Sequence, residues 1–173
     1  MSLPPHSSQI ETAAKRIRLL ITDVDGVLTD GRLLFLPGGG ETKAFNARDG
    51  LGINLLHAAG IRVAFISGRE SEVVDRRAQE LQVDIVAQGV GDKVEVFERI
   101  LADLECSEDC TAYIGDDLPD LPLIRRVGLG FAVADATSEV RSAARVVLRA
   151  GGGQGAVREA CEMILRAKGA WKV

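Results

Sequence analysis

The chain has 173 residues, of which 46% are hydrophobic, and a formal net charge of −4. This length predicts one globular domain with a substantial core, and the negative charge argues against nucleic acid or an anionic membrane as the main partner. No run of about 18 apolar residues could span a bilayer, no secretory signal is recognisable at the start, and the odd number of cysteines favours reduced thiols in a cytoplasmic protein.

The first predicted strand leads into two carboxylates. We expect residues 1–9 to be disordered or to derive from an expression vector, and a short helix over residues 10–18 to precede the apolar run 19–21. That run is typical of a buried strand, and Asp23 and Asp25 follow it at once. Because side chains alternate along a strand, both carboxylates start on one face, where they need a cation or a shared proton. A turn stabilised by aspartate side chains is the alternative interpretation.

A β-hairpin is predicted next, over residues 31–46. Two short strand-like runs flank the Pro-Gly-rich turn at residues 37–40. The apolar run 33–36 is too continuous for a hairpin that stands in water, and exposed apolar patches usually mark interaction surfaces. We therefore expect the hairpin to pack against another subunit.

Strands and helices then alternate to the end of the chain, which predicts a parallel sheet covered by helices on both faces. The expected fold class is α/β, a doubly wound parallel sheet with a hairpin insertion after strand 1, in a single domain over residues 1–173. Further strands are predicted at 62–69, 84–87, 111–114, 130–133 and 145–148, and helices at 49–59, 70–81, 93–104, 121–127, 138–144 and 156–167.

Polar side chains follow the ends of several predicted strands. They are Asp23 and Asp25 after strand 1, Ser67 after the second long strand, Lys93 at the helix that follows the third, and Asp116 and Asp117 after the fourth. Because these ends meet at one edge of a doubly wound sheet, the groups should converge. Carboxylates bind Mg²⁺, attack phosphorus and transfer protons, while a hydroxyl and an ammonium group neutralise phosphoryl oxygens. Taken singly, each residue could instead be a helix cap or a surface group.

The set as a whole resembles a known superfamily. In order and spacing, Asp23-Val24-Asp25-Gly26-Val27, Ser67, Lys93 and Gly115-Asp116-Asp117 match the four motifs of the haloacid dehalogenase phosphatases. The hairpin and the stretches 45–50, 67–69 and 153–159 resemble the capless 3-deoxy-D-manno-octulosonate (KDO) 8-phosphate phosphatases, and the similarity runs from about residue 17 to the end. This resemblance implies a Mg²⁺-dependent homotetramer that hydrolyses KDO 8-phosphate through an aspartyl-phosphate, in lipopolysaccharide precursor synthesis.

The resemblance also implies roles for individual residues. Asp23 would be the nucleophile and a metal ligand, and Asp25 the acid/base and a ligand through its backbone carbonyl. Asp116 and Asp117 would complete the metal site, and Ser67 and Lys93 would bind the phosphoryl group. Substrate contacts are implied for Asn46, Arg48, Asp49, Gly50, Asn54, Gly68, Arg69, Arg77 and Gln154. The tail from residue 151 onward would reach a neighbouring active site, and we expect the core to fold without it.

Two positions depart from the family pattern. Asn54 and Gln154 stand where basic residues are usual, and both changes remove positive charge that could hold a sugar carboxylate. A phosphatase for a nine-carbon keto-acid 9-phosphate of the sialic acid type, or for another sugar phosphate, is therefore an alternative. A two-component receiver domain is disfavoured, because the third long strand ends at residues 87–89 without an acceptor aspartate. A catalytically silent scaffold is a further alternative, although both Asp23 and Asp25 are present.

Overall fold

A six-stranded sheet forms the centre of the protein in the computed structural model, which describes residues 5–172. The strand order is β5-β4-β1-β6-β7-β8, and every neighbouring pair is parallel. The strands are β1 Leu19–Thr22, β2 Leu34–Phe35, β3 Glu41–Thr42, β4 Arg62–Ile66, β5 Ile85–Ala87, β6 Thr111–Gly115, β7 Leu129–Ala132 and β8 Val146–Val147. This arrangement confirms the predicted doubly wound α/β fold.

Seven α-helices are described together with these strands. They are α1 Pro5–Arg16, α2 Ala47–Ala58, α3 Glu72–Glu80, α4 Lys93–Asp103, α5 Leu121–Arg126, α6 Ser138–Ala143 and α7 Ala156–Ala167. Short 3₁₀ helices lie at Glu108–Cys110 and Leu118–Asp120. Within the described residues, the insertion after β1 is a hairpin rather than a cap domain, and no helix has the length and apolar character needed to cross a membrane.

The register of the central strands positions the site. β1 is buried along its whole length between β4 and β6, and Thr22 lies opposite Phe65 and Ile114. The residues after β1, β4 and β6 therefore emerge at the same edge of the sheet. The strand order also reverses between β1 and β6, and such a reversal opens a crevice at the carboxyl ends of the strands.

The structure differs from the predicted boundaries at the N-terminus and at α2. Residues 5–9, expected to be disordered, belong to α1, and residues 1–4 lie outside the described part of the chain. Helix α2 begins at Ala47, because the Asn46 side chain accepts a hydrogen bond from the backbone N–H of Arg48 at 2.9 Å. The helix was predicted to begin at residue 49 because the apolar pattern starts after the capping residue.

The hairpin is present as predicted, and its apolar side chains are exposed. β2 and β3 pair antiparallel in a small sheet of their own. Phe35 has 70% of its surface exposed, and Leu33, Leu34 and Leu36 are also exposed. In this chain the hairpin therefore presents an unpaired apolar surface.

Helix α7 belongs to the core, which corrects the expectation that the chain from residue 151 is a separable tail. One face of the helix is buried and consists of Ala156, Val157, Ala160, Cys161, Ile164 and Leu165. The backbone N–H of Arg158, in the first turn of α7, donates to the buried carboxylate of Asp49 on α2 at 2.7 Å. The amphipathic pattern predicted the helix, but it did not show which surface the apolar face covers.

Candidate active site

A cavity of about 690 Å³ opens at the carboxyl ends of β1, β4 and β6. The residues predicted to carry catalysis and bind metal all line it: Asp23, Asp25, Ser67, Lys93, Asp116 and Asp117. They come from segments that are far apart in sequence. The convergence expected from the strand order is therefore present in the structure.

Lys93 lies between two carboxylates at the base of the cavity. Its Nζ is 2.9 Å from Asp23 Oδ2 and 2.7 Å from Asp120 Oδ1, and its side chain is buried. Asp92 caps α4 by accepting from the backbone N–H of Val94, which places Lys93 in the first turn of the helix. Burial opposes the charged form of Lys93, but Asp23 and Asp120 outweigh it and raise the pKa above its ordinary value. Lys93 is therefore a fixed cation beside Asp23.

Asp120 is a site residue that the sequence analysis missed. It is fully buried, and its Oδ1 accepts from Lys93 Nζ and from the Tyr113 hydroxyl, each at 2.7 Å. Its Oδ2 accepts from the backbone N–H groups of Asp116 and Asp117 at 3.0 and 3.3 Å. Asp120 thus holds both the lysine and the turn after β6. Its spacing of three residues from Asp117, typical of a capping box, was the available signal.

Three carboxylates form a cluster that suits a divalent cation. Oxygens of Asp23, Asp116 and Asp120 lie within 4.8 Å of one another. Burial, reinforced by Asp120, raises the pKa of Asp23 to about 6. Burial and then the charge of Asp23 raise the pKa of Asp116 to about 8. Lys93 offsets only part of this negative charge. The remainder indicates a place for a cation, and Mg²⁺ prefers such oxygen ligands.

The expected metal ligands are only partly in this cluster. Asp23 and Asp116 belong to it. The third member, Asp120, already accepts hydrogen bonds from four donors, so Asp23 and Asp116 are the better metal ligands. The Asp117 carboxylate instead accepts from the backbone N–H of Leu118 at 2.8 Å. The side chain of Asp25 also lies outside the cluster, which leaves its backbone carbonyl as the ligand that the resemblance implies.

Asp25 is paired with Lys43 of the hairpin, an arrangement that the sequence analysis did not predict. Lys43 Nζ is 2.5 Å from Asp25 Oδ1 and 3.5 Å from Glu41 Oε1. Arg69 bridges the same two acids, with Nη2 2.8 Å from Glu41 Oε2 and Nε 3.8 Å from Asp25 Oδ2. Lys43 and Glu41 are single charges in a short exposed hairpin, so periodicity alone could not place them beside the cavity.

Gly68 and Arg69 are the predicted substrate contacts that line the cavity. Arg48 and Gln154 instead line a second cleft of about 440 Å³, next to the N-terminus of α7. Asn54 is exposed on α2. Within one chain, these three residues lie outside the lining of the cavity that contains Asp23.

The other predicted substrate contacts stabilise the fold around the glycine-rich loop 151–155. Asn46 caps α2 and also donates from Nδ2 to the carbonyl of Gly153 at 3.2 Å. Asp49 is only 1% exposed, and burial raises its pKa to about 6. Arg77 pairs with Glu80 at 2.9 Å and packs against Gly50, where a β-carbon would collide with its guanidinium group. The structure therefore corrects the substrate role expected for Asp49, whose side chain has almost no surface left for a ligand.

Comparisons with known proteins agree with this geometry. A family model described as haloacid dehalogenase-like hydrolase matches residues 76–157. The 3-deoxy-D-manno-octulosonate 8-phosphate phosphatase KdsC of Yersinia pestis is 45% identical over 95% of this chain and 88% of that enzyme. The structure of the corresponding phosphatase from Moraxella catarrhalis, in complex with magnesium, phosphate and KDO, is 42% identical, with a TM-score of 0.92 over 94% of this chain and 93% of that one. A cobalt-bound form of the Haemophilus influenzae phosphatase is 43% identical, with a TM-score of 0.88 over 91% and 92% of the two chains.

Proposed function

This chain belongs to the KDO 8-phosphate phosphatase family of haloacid dehalogenase-like hydrolases, and on that premise we propose that it hydrolyses KDO 8-phosphate to KDO and phosphate. The membership confirms the resemblance predicted from the motifs. The observation that carries the proposal is the convergence of Asp23, Lys93 and Ser67 in one cavity at the reversal of strand order. A cytoplasmic role in lipopolysaccharide precursor synthesis is part of the same proposal.

Asp23 acts as the nucleophile. Its Oδ1 accepts from the backbone N–H of Val24 at 2.7 Å, and its Oδ2 lies beside Lys93 Nζ, so the carboxylate has a fixed orientation. An oxygen of Asp23 attacks phosphorus, the bond from phosphorus to the sugar oxygen breaks, and an aspartyl-phosphate forms. Water then cleaves the aspartyl-phosphate and releases phosphate.

Lys93 and Ser67 stabilise the transferring phosphoryl group. Ser67 is buried, and its Oγ accepts from the backbone N–H of Arg69 at 3.3 Å, so its hydroxyl hydrogen can donate to a phosphoryl oxygen. Lys93 supplies the positive charge that the equatorial oxygens need as the transition state develops. Asp23, Asp116 and the Asp25 carbonyl would hold Mg²⁺, with support from Asp117. Bound Mg²⁺ would neutralise phosphate charge and reduce repulsion between the phosphate and Asp23.

Asp25 transfers protons in both steps. It gives a proton to the leaving sugar oxygen, and it later takes a proton from the attacking water. Arg69 also lines the cavity, and it suits an anionic sugar acid because its planar guanidinium matches carboxylate geometry.

The first test measures phosphate release from KDO 8-phosphate and from a nine-carbon keto-acid 9-phosphate, each with Mg²⁺ and with EDTA. We expect release to require Mg²⁺ and to favour the eight-carbon substrate by about 100-fold, equal to about 2.7 kcal/mol of transition-state discrimination. An equal or reversed preference would support phosphatase activity but reject KDO 8-phosphate as the specific substrate. Release from neither substrate by the folded protein would favour the silent-scaffold alternative.

We also propose that the chain assembles as a homotetramer through the hairpin. The exposed run from Leu33 to Leu36 supports this, because four adjacent apolar side chains in water are unfavourable. Replacing Leu34 with aspartate should yield smaller species in sedimentation velocity, while Arg32→Ser, which changes an exposed polar residue on the same hairpin, should leave the assembly unchanged. If Leu34→Asp sediments like the wild-type protein, the hairpin is not the interface.

A further inference from the structure

The geometry points to Lys43 as a positioning residue that orients Asp25 from the hairpin. This inference rests on the proposed function, because it takes Asp25 as the group that transfers protons. Within residues 5–172, Lys43 forms ion pairs with Asp25 and Glu41, and not with the nucleophile Asp23. We take its main effect on the reaction to pass through Asp25, its closer partner, and the double-mutant cycle below separates this route from one through Glu41.

The burial of Lys43 is unusual for its place in the fold. Its side chain is 2% exposed, although it directly follows β3 in a hairpin whose apolar side chains face solvent. A buried ammonium group is costly unless charged partners surround it. Asp25 and Glu41 are those partners, and the Asp25 contact is the shorter one. The hairpin thus commits a buried cation to the side chain that would move protons.

The two oxygens of Asp25 have different surroundings. Lys43 holds Oδ1 at 2.5 Å, whereas Arg69 Nε lies 3.8 Å from Oδ2, beyond hydrogen-bond distance. We assign Oδ1 to the contact with Lys43 and Oδ2 to the exchange of the proton with the sugar oxygen and then with water. Lys43 fixes the rotation of the carboxylate, since proton transfer requires a group within hydrogen-bond reach and in the right orientation.

Glu41 completes the arrangement without touching Asp25. It lies 3.5 Å from Lys43 and 2.8 Å from Arg69, so it holds both cations that flank the Asp25 carboxylate. Residues 41–43 therefore connect the hairpin to the acid/base through charge pairs. The nucleophile is held independently, by Val24 and Lys93.

The test is a double-mutant cycle with Lys43→Met and Asp25→Asn, which measures whether the two residues act through each other. We expect Lys43→Met to lower kcat for KDO 8-phosphate by about 10- to 100-fold, with KM changed less than about threefold, and to cause no further loss in the Asp25→Asn background. Arg32→Met removes another hairpin cation, paired with Asp30 on the surface, and should leave kcat unchanged. A further loss of tenfold or more in the Asp25→Asn background would overturn the inference.

A second measurement uses p-nitrophenyl phosphate with Mg²⁺, whose leaving group needs no proton. In Lys43→Met the first turnover should release p-nitrophenolate at the wild-type rate, and steady-state turnover should fall, because water activation by Asp25 is impaired. An equal loss in both phases would reject a role through Asp25. If Lys43→Met does not fold, Lys43→Gln is measured in the same way. p-Nitrophenyl phosphate is not a sugar phosphate, so the two proposals can fail separately. If the wild-type enzyme hydrolyses this probe but not KDO 8-phosphate, the proposed substrate is wrong, and the probe still tests the role of Lys43.

Discussion

Asp23→Asn is expected to lower turnover by about 10⁴-fold or more, because an amide oxygen cannot attack phosphorus and form the acyl phosphate that the reaction requires. Lys93, Ser67 and Asp116 would all remain in place around the substituted side chain. The loss should therefore appear in kcat, with little change in the affinity for substrate. The measurement is steady-state phosphate release with Mg²⁺, with acid-quenched labelling by the phosphoryl group as a direct test for the covalent intermediate.

The stability of this variant provides the control, and its pH dependence has a definite sign. The pKa of Asp23 rises from 3.8 to about 6 on folding, so the carboxylate opposes folding once it ionises. Without metal, the wild-type protein should lose stability relative to Asp23→Asn as the pH rises from about 4 through 6. Above that range we expect the stability difference to have shifted in favour of the variant by roughly 3 kcal/mol, measured by denaturant unfolding in EDTA. A folded Asp23→Asn enzyme with near-wild-type turnover would reject the assignment of the nucleophile.

The sequence predicted the strands and the convergence because their signals are local. The apolar run of β1 and the acids that follow it stand next to each other in the chain, and the alternation of strands with helices determines which edge those acids share. The same holds for Lys93, whose position at a helix start follows from the capping residue Asp92. Each of these features depends on a few neighbouring residues.

The rest of the site depends on contacts between distant segments. Lys43 reaches Asp25 across 18 positions, and Asp120 reaches Lys93 across 27. No periodicity relates such residues. For Asp49 the sequence analysis predicted a ligand contact that the structure does not support. Its carboxylate instead accepts a hydrogen bond from the backbone N–H of Arg158 at the start of α7. A motif read from sequence does not distinguish a residue that contacts the ligand from one that holds the backbone beside it.

A chain that ends at Gly151, and therefore lacks helix α7, is expected not to fold. The buried face of α7 includes Val157, Ile164 and Leu165, and each large apolar side chain contributes about 1.5–3 kcal/mol when buried. Their sum, roughly 5–9 kcal/mol, is comparable to the whole stability of a typical domain. The cut would also leave Asp49 without the backbone donor of Arg158 and remove Gly153, whose N–H donates to the carbonyl of Val27 at 2.9 Å. Circular dichroism and thermal unfolding would measure the outcome.

A chain ending at Lys168 is the matched control, because it keeps α7 and removes only the segment that contains Trp171. That ring lies 5.0 Å from the guanidinium of Arg158 and 4.9 Å from that of Arg166, and such contacts contribute about 0.5–1 kcal/mol each at exposed sites. We expect this chain to fold with a small loss of stability and to keep its turnover. If the chain ending at Gly151 instead unfolds cooperatively at a temperature close to that of the control, α7 is a peripheral tail and the packing argument is wrong. If it fails to fold while the control folds, Gly153 and α7 are needed to support the loop that follows the nucleophile. The loss of activity on truncation would then result from the loss of core packing and not from the loss of a contact with substrate.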